Sequence, residues 1–217
     1  MNPVLIRVLV TVCGYFFGMF LAGHFLGKLR GFDLTTMGSG NVGATNALRC
    51  LGLKTALLIF FLDALKAFLP VFIVGQIFKN DSLRYIYMIY TVLGVILGND
   101  YPFFLKFKGG KGVAATSGWG IAVHPLTWLL SMLLFFFMAI LTRYVSLASI
   151  IATLFATGTF IAFGAAEMIP VPHSALAEYI IVLVVIELLL IFAHRGNIVR
   201  LIQGKENRFG SSNEDRI

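Results

Sequence analysis

Charge is scarce in this chain. Only 12% of its 217 residues are Asp, Glu, Lys or Arg, while 59% are hydrophobic. Soluble domains carry about a quarter charged residues, so the composition excludes an ordinary water-soluble fold and places the chain among membrane proteins. Cysteine is nearly absent: Cys13 lies in an apolar run and Cys50 in a basic loop. Two such residues give neither a disulfide framework nor paired metal-ligand spacing. The acidic residues near the polar loops, Asp33, Asp100 and Glu206, are too scattered for a metal centre, and no metal or cofactor is expected. A basic n-region and a small-x-small cleavage site are missing around Val4–Leu26, so this stretch reads as a retained first span. No internal repeat is evident. One membrane domain is expected over residues 1–209, with a polar tail over Gly210–Ile217.

What the chain does have is long apolar runs. A helix needs about 20 residues to cross a bilayer. The runs Val4–Leu26, Leu53–Phe78, Arg84–Gly98, Leu126–Thr142, Ser146–Glu167 and Leu176–Ala193 qualify as spans. Val113–His124 is shorter and would rise only about 18 Å. The formal charge of +7 decides its role. If Val113–His124 crosses, all but four of the 17 Lys and Arg residues share one side. Arg7, Lys79 and Arg84 are opposite, and Lys66 lies inside a span. If it does not cross, the split is seven against nine. The positive-inside rule selects the first arrangement. The expected fold is therefore all-α: a polytopic bundle of seven transmembrane helices, one of them short, with the N-terminus outside and the C-terminus cytoplasmic. Because the basic residues sit at the ends of apolar runs, they indicate an anionic leaflet or anionic substrates, and no nucleic acid is expected.

This topology gathers the loops 27–54 and 105–112 and the tail from His194 on one face. The first contains Gly38-Ser39-Gly40-Asn41-Val42-Gly43-Ala44-Thr45-Asn46-Ala47-Leu48-Arg49. Its glycines let backbone approach a ligand, and its amides, Ser39, Asn41 and Asn46 can donate to an oxyanion. Arg49 supplies a forked, permanent charge suited to phosphate. The second loop, Lys106-Phe107-Lys108-Gly109-Gly110-Lys111-Gly112, runs into a helix N-terminus, where unpaired amides and a positive dipole end meet. It lacks the spacing GxxxxGK[ST], which excludes nucleotide triphosphatase chemistry. Lys108 and Lys111 flank the glycines as ligand contacts. In the third segment His194, Asn197 and Arg200 recur at helical spacing and would share one face of a continuing helix. Ser146 and Ser149 open a span at the same level, as helix-start residues or as substrate contacts. Asp63 and Lys66, at i and i+3 inside the second span, read as a structural ion pair facing the bundle.

Taken together, GSGNVGATNALR (38–49), KFKGGKGVAAT (106–116) and HRGNIVRLIQGKE (194–206) resemble the bacterial family of acyl-phosphate-dependent glycerol-3-phosphate acyltransferases. The match covers almost the whole chain in order, including LDALKA near Asp63 and TRYVSLASI around Ser146. The resemblance implies a seven-helix inner-membrane enzyme that moves a fatty acyl group from acyl phosphate to the 1-position of glycerol 3-phosphate. Lysophosphatidic acid, the first intermediate of phospholipid synthesis, is the implied product. It also implies that Ser39 and Arg49 are essential, that Gly109–Gly112 with Lys111 binds glycerol 3-phosphate, and that His194, Asn197 and Glu206 form the third motif. Three positions depart from the family pattern: Val42 stands where proline is frequent, Ala67 where glycine is, and Asn99 where histidine is.

The chemistry fits these residues. Acyl phosphate is an activated anhydride, so the protein's task is to hold two phosphates and a hydroxyl in line while the acyl tail lies in the bilayer. His194 is expected to orient or deprotonate the hydroxyl, with Asn197 fixing its position and Ser39 assisting; a substrate phosphate is the alternative base. Membrane lipids are the other expected partners. A transporter of a phosphate-bearing solute is the rival from another class, but transporters place polar groups at the midplane between related halves.

Overall fold

The computed structural model describes residues 2–208. The polar tail expected over 210–217 lies outside the described residues. Ten α-helices follow in order: α1 Pro3–Gly18, α2 Ala22–Arg30, α3 Ala44–Leu51, α4 Leu53–Ile77, α5 Arg84–Asp100, α6 Val113–Val123, α7 Pro125–Thr142, α8 Val145–Ala165, α9 His173–Ala193 and α10 Arg195–Ile202. There is no strand among the described residues. Six stretches are long and apolar enough to cross a membrane: Pro3–Arg30, Leu53–Ile77, Arg84–Leu105, Pro125–Thr142, Val145–Ala165 and His173–Ala193. The apolar helix α6 is shorter than these six.

The first span departs from the single run expected over Val4–Leu26. It breaks at Met19–Leu21 and restarts as α2. Asp63 of α4 supplies a reason. Leu21 offers no side-chain cap, and the Ala22 amide at the start of α2 donates to Asp63 Oδ1 at 3.3 Å. A carboxylate at a helix N-terminus meets both an orphan amide and the positive dipole end. The loop expected between the first two spans also folds further than a connector, because residues 44–51 form α3.

Small residues let α1 and α5 approach closely. Gly14 and Gly18 lie against the Thr91 and Val95 carbonyls, and Gly94 and Gly98 against those of Thr11 and Tyr15. A methyl at any of these sites would strike backbone, the reason small residues recur at membrane helix contacts. The same device seats α6, whose Gly118 abuts the Ala64 carbonyl of α4. The short helix is tolerated because its ends lie against protein and line a cavity, where broken backbone at membrane depth finds partners. At its far end the His124 ring accepts from the Thr127 amide and caps α7.

The main core surrounds α5, from Ile86 to Ile96, and includes the Trp119–Phe160 ring pair at 4.8 Å. A second cluster of Ala22, Leu34, Ala47, Ala56 and Ile59 fixes α2, α3 and α4 under the first loop. Apolar side chains cover much of the outside: Leu133, Phe136, Phe137 and Ile140 of α7 are all more than half exposed, as a lipid-facing helix requires. Several polar groups inside the bundle are paired across helices. Glu187 accepts from Thr153 and Thr157 at 3.0 Å each, and Arg7 binds Glu178.

Candidate active site

One cleft of about 900 Å³, open to solvent, collects all three glycine-rich segments at one end of the bundle. Its walls come from residues 39 and 41–46, Asn99 at the end of α5, residues 110–112, the first turns of α6 and α8, and the α9–α10 junction. Segments far apart in sequence converge here because the loops that carry them share one end of a bundle.

The first segment is a preformed turn. Gly38 and Gly40 take φ of 56° and 71°, conformations that side chains rarely adopt. Asn46 organises them. Its Nδ2 donates to the carbonyls of Leu34, Met37 and Asn41 at 3.2, 2.9 and 2.8 Å, and its Oδ1 accepts the Ser39 amide at 2.9 Å. Asn41 Oδ1 accepts the Gly43 amide at 2.9 Å. The expectation that Asn46 donates to an oxyanion is therefore corrected: the side chain is buried and its donors are engaged by backbone. The Ser39 and Gly43 amides are likewise engaged internally. What remains toward the cleft is the Ser39 side chain and the N-terminus of α3 at Ala44–Thr45, with Arg49 one turn further on and exposed.

The second segment is fastened to the end of α5. The Gly109 amide donates to the Asp100 carbonyl at 3.0 Å and the Gly110 amide to that of Asn99 at 2.8 Å. Those amides are not free for a ligand; the donors left for one are the first-turn amides of α6, which line the cleft from Gly112 to Ala115. Gly112 caps that helix at φ 73°. Two helix N-termini, those of α3 and α6, thus face the same space, and each carries partial positive charge. Lys111 reaches in beside them. Burial pushes its ammonium down to about 8, the Arg200 guanidinium pushing the same way.

At the α9–α10 junction the expected continuous helix is interrupted: His194 closes α9, and α10 starts at Arg195. His194 Nδ1 lies 2.8 Å from the Leu190 carbonyl, which only accepts, so Nδ1 carries the proton and Nε2 of the neutral ring is left as an acceptor. Burial pushes the imidazole down to about 4. Asn197 does not hold His194, which corrects that expectation. Its Oδ1 accepts from Lys111 Nζ and its Nδ2 donates to Glu206 Oε1 at 2.9 Å. Glu206 also takes Arg200 Nε at 2.8 Å. The histidine is fixed through its own helix, while the asparagine fixes the lysine.

Of the residues singled out in the sequence, Ser39, Asn41, Gly43, Asn46, Arg49, Gly110, Lys111, Ser146, Ser149, His194, Asn197, Glu206 and Asp63 line the cleft. Gly40, Lys108 and Gly109 are not among its lining residues, and Lys108 points into solvent. Ser149 donates to its own helix at the Val145 carbonyl (2.8 Å), whereas the buried Ser146 hydroxyl has no partner. Neither serine caps α8, which Tyr144 precedes. Lys66 sits behind the wall, 2.8 Å from Asp63. Sequence reasoning missed Asn99, Leu21, Phe60 and Phe135 as wall residues. The last three are apolar and carry no signal among so many apolar neighbours. Asn99 was legible as a polar residue near the end of an apolar run and as a departure from the family pattern, but not as part of the wall.

The cleft combines helix N-termini, Arg49 and Lys111 with a neutral imidazole and an apolar side formed by Phe60, Phe135 and Val145. Among the described residues no group of three His, Cys, Asp or Glu side chains is arranged to hold a metal ion. Such an arrangement has the chemistry to bind an oxyanion on one flank and an apolar group on the other, with a proton acceptor between them.

Comparisons with known proteins point the same way. A family model described as glycerol-3-phosphate acyltransferase matches residues 8–204. A glycerol-3-phosphate acyltransferase of Aquifex aeolicus (strain VF5) is 42% identical over 200 residues, covering 92% of this chain and 97% of that protein. One from Staphylococcus carnosus (strain TM300) is 36% identical over 206 residues, covering 92% and 96%. The crystal structure of PlsY (YgiH), an integral membrane glycerol 3-phosphate acyltransferase, in its glycerol 3-phosphate form superposes with a TM-score of 0.81. It is 42% identical and covers 94% of this chain and 96% of that one. Its lysophosphatidic acid form gives 0.79 at 41% identity.

Proposed function

Because this chain belongs to the glycerol-3-phosphate acyltransferase family, we propose that its cleft joins a fatty acyl group from acyl phosphate to the 1-position hydroxyl of glycerol 3-phosphate. The chain is a multi-pass membrane acyltransferase. Lysophosphatidic acid and inorganic phosphate are the products, and the role is in phospholipid synthesis. The observation that carries this reading is the meeting of the α3 and α6 N-termini with Lys111 and His194 in one cleft.

In the reaction the hydroxyl oxygen attacks the acyl carbonyl carbon and the bond from that carbon to the phosphate oxygen breaks. His194 Nε2 takes the hydroxyl proton, for which its neutral state is required. A weak base suffices because phosphate is a good leaving group and proton transfer need only accompany bond formation. Helix-terminal amides, Arg49, Ser39 and Lys111 hold phosphate oxygens and offset charge developing on the carbonyl oxygen and leaving group. Ser146, a buried hydroxyl without a protein partner, is suited to donate to one of these oxygens. The acyl chain leaves past Phe60 and Phe135 toward lipid.

In this reading the described residues form a single catalytic domain in the bacterial inner membrane, with the N-terminus outside and the cleft facing the cytoplasm, an orientation that the basic-residue bias supports. Lysophosphatidate formation by pure protein is the direct test, with palmitoyl phosphate compared against palmitoyl-CoA and palmitoyl-acyl carrier protein. Product from acyl phosphate alone is expected; equal use of the thioesters would overturn the donor assignment. Labelled glycerol 3-phosphate accumulating inside proteoliposomes without a donor would favour the transporter instead.

A further inference from the structure

The strongest unexplained feature is a line of buried polar side chains that runs from the cleft wall, at Asp63 and Asn99, to Lys66 and Asp100 behind it. Asp63 Oδ1 lies 2.8 Å from Lys66 Nζ, and the same ammonium donates to Asn99 Oδ1 at 2.7 Å. Asn99 Nδ2 then donates to Asp100 Oδ1 at 2.7 Å. All four side chains are buried. Both ends of the Asn99 carboxamide are therefore engaged, one as acceptor and one as donor. The residue also carries the glycine turn: its carbonyl receives the Gly110 amide, and the neighbouring Asp100 carbonyl receives that of Gly109. A methyl on Gly110 would press against the Asn99 carboxamide, so the turn rests directly on that side chain.

We infer that Asn99 is a positioning residue that sets the Gly110–Lys111 turn against the buried Asp63–Lys66 pair, and so sets affinity for the phosphate of glycerol 3-phosphate. This rests on the proposed function only in taking that phosphate as the ligand of the turn. The physical basis is directional. A carboxamide presents a lone-pair acceptor to Lys66 and an N–H donor to Asp100 from one rigid plane, and few side chains supply both. Aspartate keeps the acceptor but loses the donor and sets two carboxyl groups side by side. Neutral histidine keeps both functions. Protonated histidine has two donors and no acceptor, and faces Lys66. The groups around this position are Asp63 and Lys66 from α4, Asp100 from α5, Lys111 from the turn and His194 from the end of α9.

The test compares Asn99→Asp and Asn99→His with wild type in the purified protein. For N99D, the glycerol 3-phosphate KM is expected to rise about tenfold or more while kcat and the acyl-donor KM stay within about twofold. For N99H, a near-native KM at pH 8 is expected to rise in acid as the ring protonates, the limb lying below the free-histidine value of about 6.5 because burial beside Lys66 disfavours the charge. Amide hydrogen exchange at Gly109 and Gly110 is expected to quicken in N99D without a matching change in α7, and this readout does not depend on turnover. Native KM and native exchange in N99D overturn the inference. Where N99D does not fold, N99H carries the test alone: a KM profile parallel to wild type overturns it, and an acid limb supports it. A protein that makes no lysophosphatidate yet shows the exchange effect overturns the proposed function and leaves the positioning role standing.

Discussion

Lys111 donates through Nζ to the Oδ1 of Asn197, a residue 86 positions further along the chain. This bond ties the glycine turn before α6 to the helix that follows the last span. Glu206 completes the tie by accepting from Asn197 and Arg200. The ammonium is thereby aimed into the cleft rather than left on a mobile stem, which lowers the entropic cost of gripping a phosphate.

His194 has its own signature. Replacing it with Asn is expected to lower kcat about 10²–10⁴-fold with a smaller effect on KM. Because burial holds the imidazole at about 4, the acid limb of kcat/KM in wild type is expected near that value and not near 6.5. Stopped assays across pH 3.5–8 check this, and near-native turnover of H194N would remove the histidine from the mechanism.

Lys111 predicts an alkaline limb. The free ammonium is charged below about 8 and neutral above, and phosphate binding requires the charge. The KM for glycerol 3-phosphate is therefore expected to rise about tenfold per pH unit beyond that point, while Lys111→Arg shifts the limb out of range. The same shift acts on folding in the other direction. Between about 8 and 10.5 the unfolded chain holds a proton that the folded chain has released, so stability rises with pH across that window.

Asn46 is expected to matter for stability before catalysis. Asn46→Ala leaves the Leu34, Met37 and Asn41 carbonyls and the Ser39 amide without partners, and should cost about 1–3 kcal/mol. Thermal unfolding in detergent would show the loss. A variant with native melting but no binding would instead make Asn46 a ligand contact.

The Asp63–Lys66 pair should show strong coupling. Removing either partner leaves a buried charge and is expected to cost about 3–5 kcal/mol, whereas the joint change Asp63→Asn with Lys66→Met should cost less than the two added together. Additive losses would show that the two charges act separately.

Orientation is open to chemistry. In a background with Cys13 and Cys50 replaced by serine, a cysteine placed at Lys205 is expected to react with a membrane-impermeant maleimide only in inverted vesicles. One placed at Asp81 should react in intact spheroplasts. The reverse pattern would put His194 on the periplasmic side and remove its access to cytoplasmic substrate.

By itself the sequence determined the solvent and the gathering of the site. Long apolar runs demand a bilayer, and helices that must cross it return their loops to one of two faces, so with Val113–His124 counted as a crossing Arg49, Lys111 and His194 fall on the same face. Their types also declared an anion. The tertiary structure alone decided which atoms are free to act. Asn46 turned inward because folded loop backbone left carbonyls that needed a donor, and Asn197 took Lys111 because the chain breaks at His194 and swings α10 across. The break at Met19–Leu21 occurs where Asp63, distant in sequence, meets an unpaired amide. Hydrogen-bond partners of this kind are set by the three-dimensional approach of segments, which residue spacing along one chain does not encode.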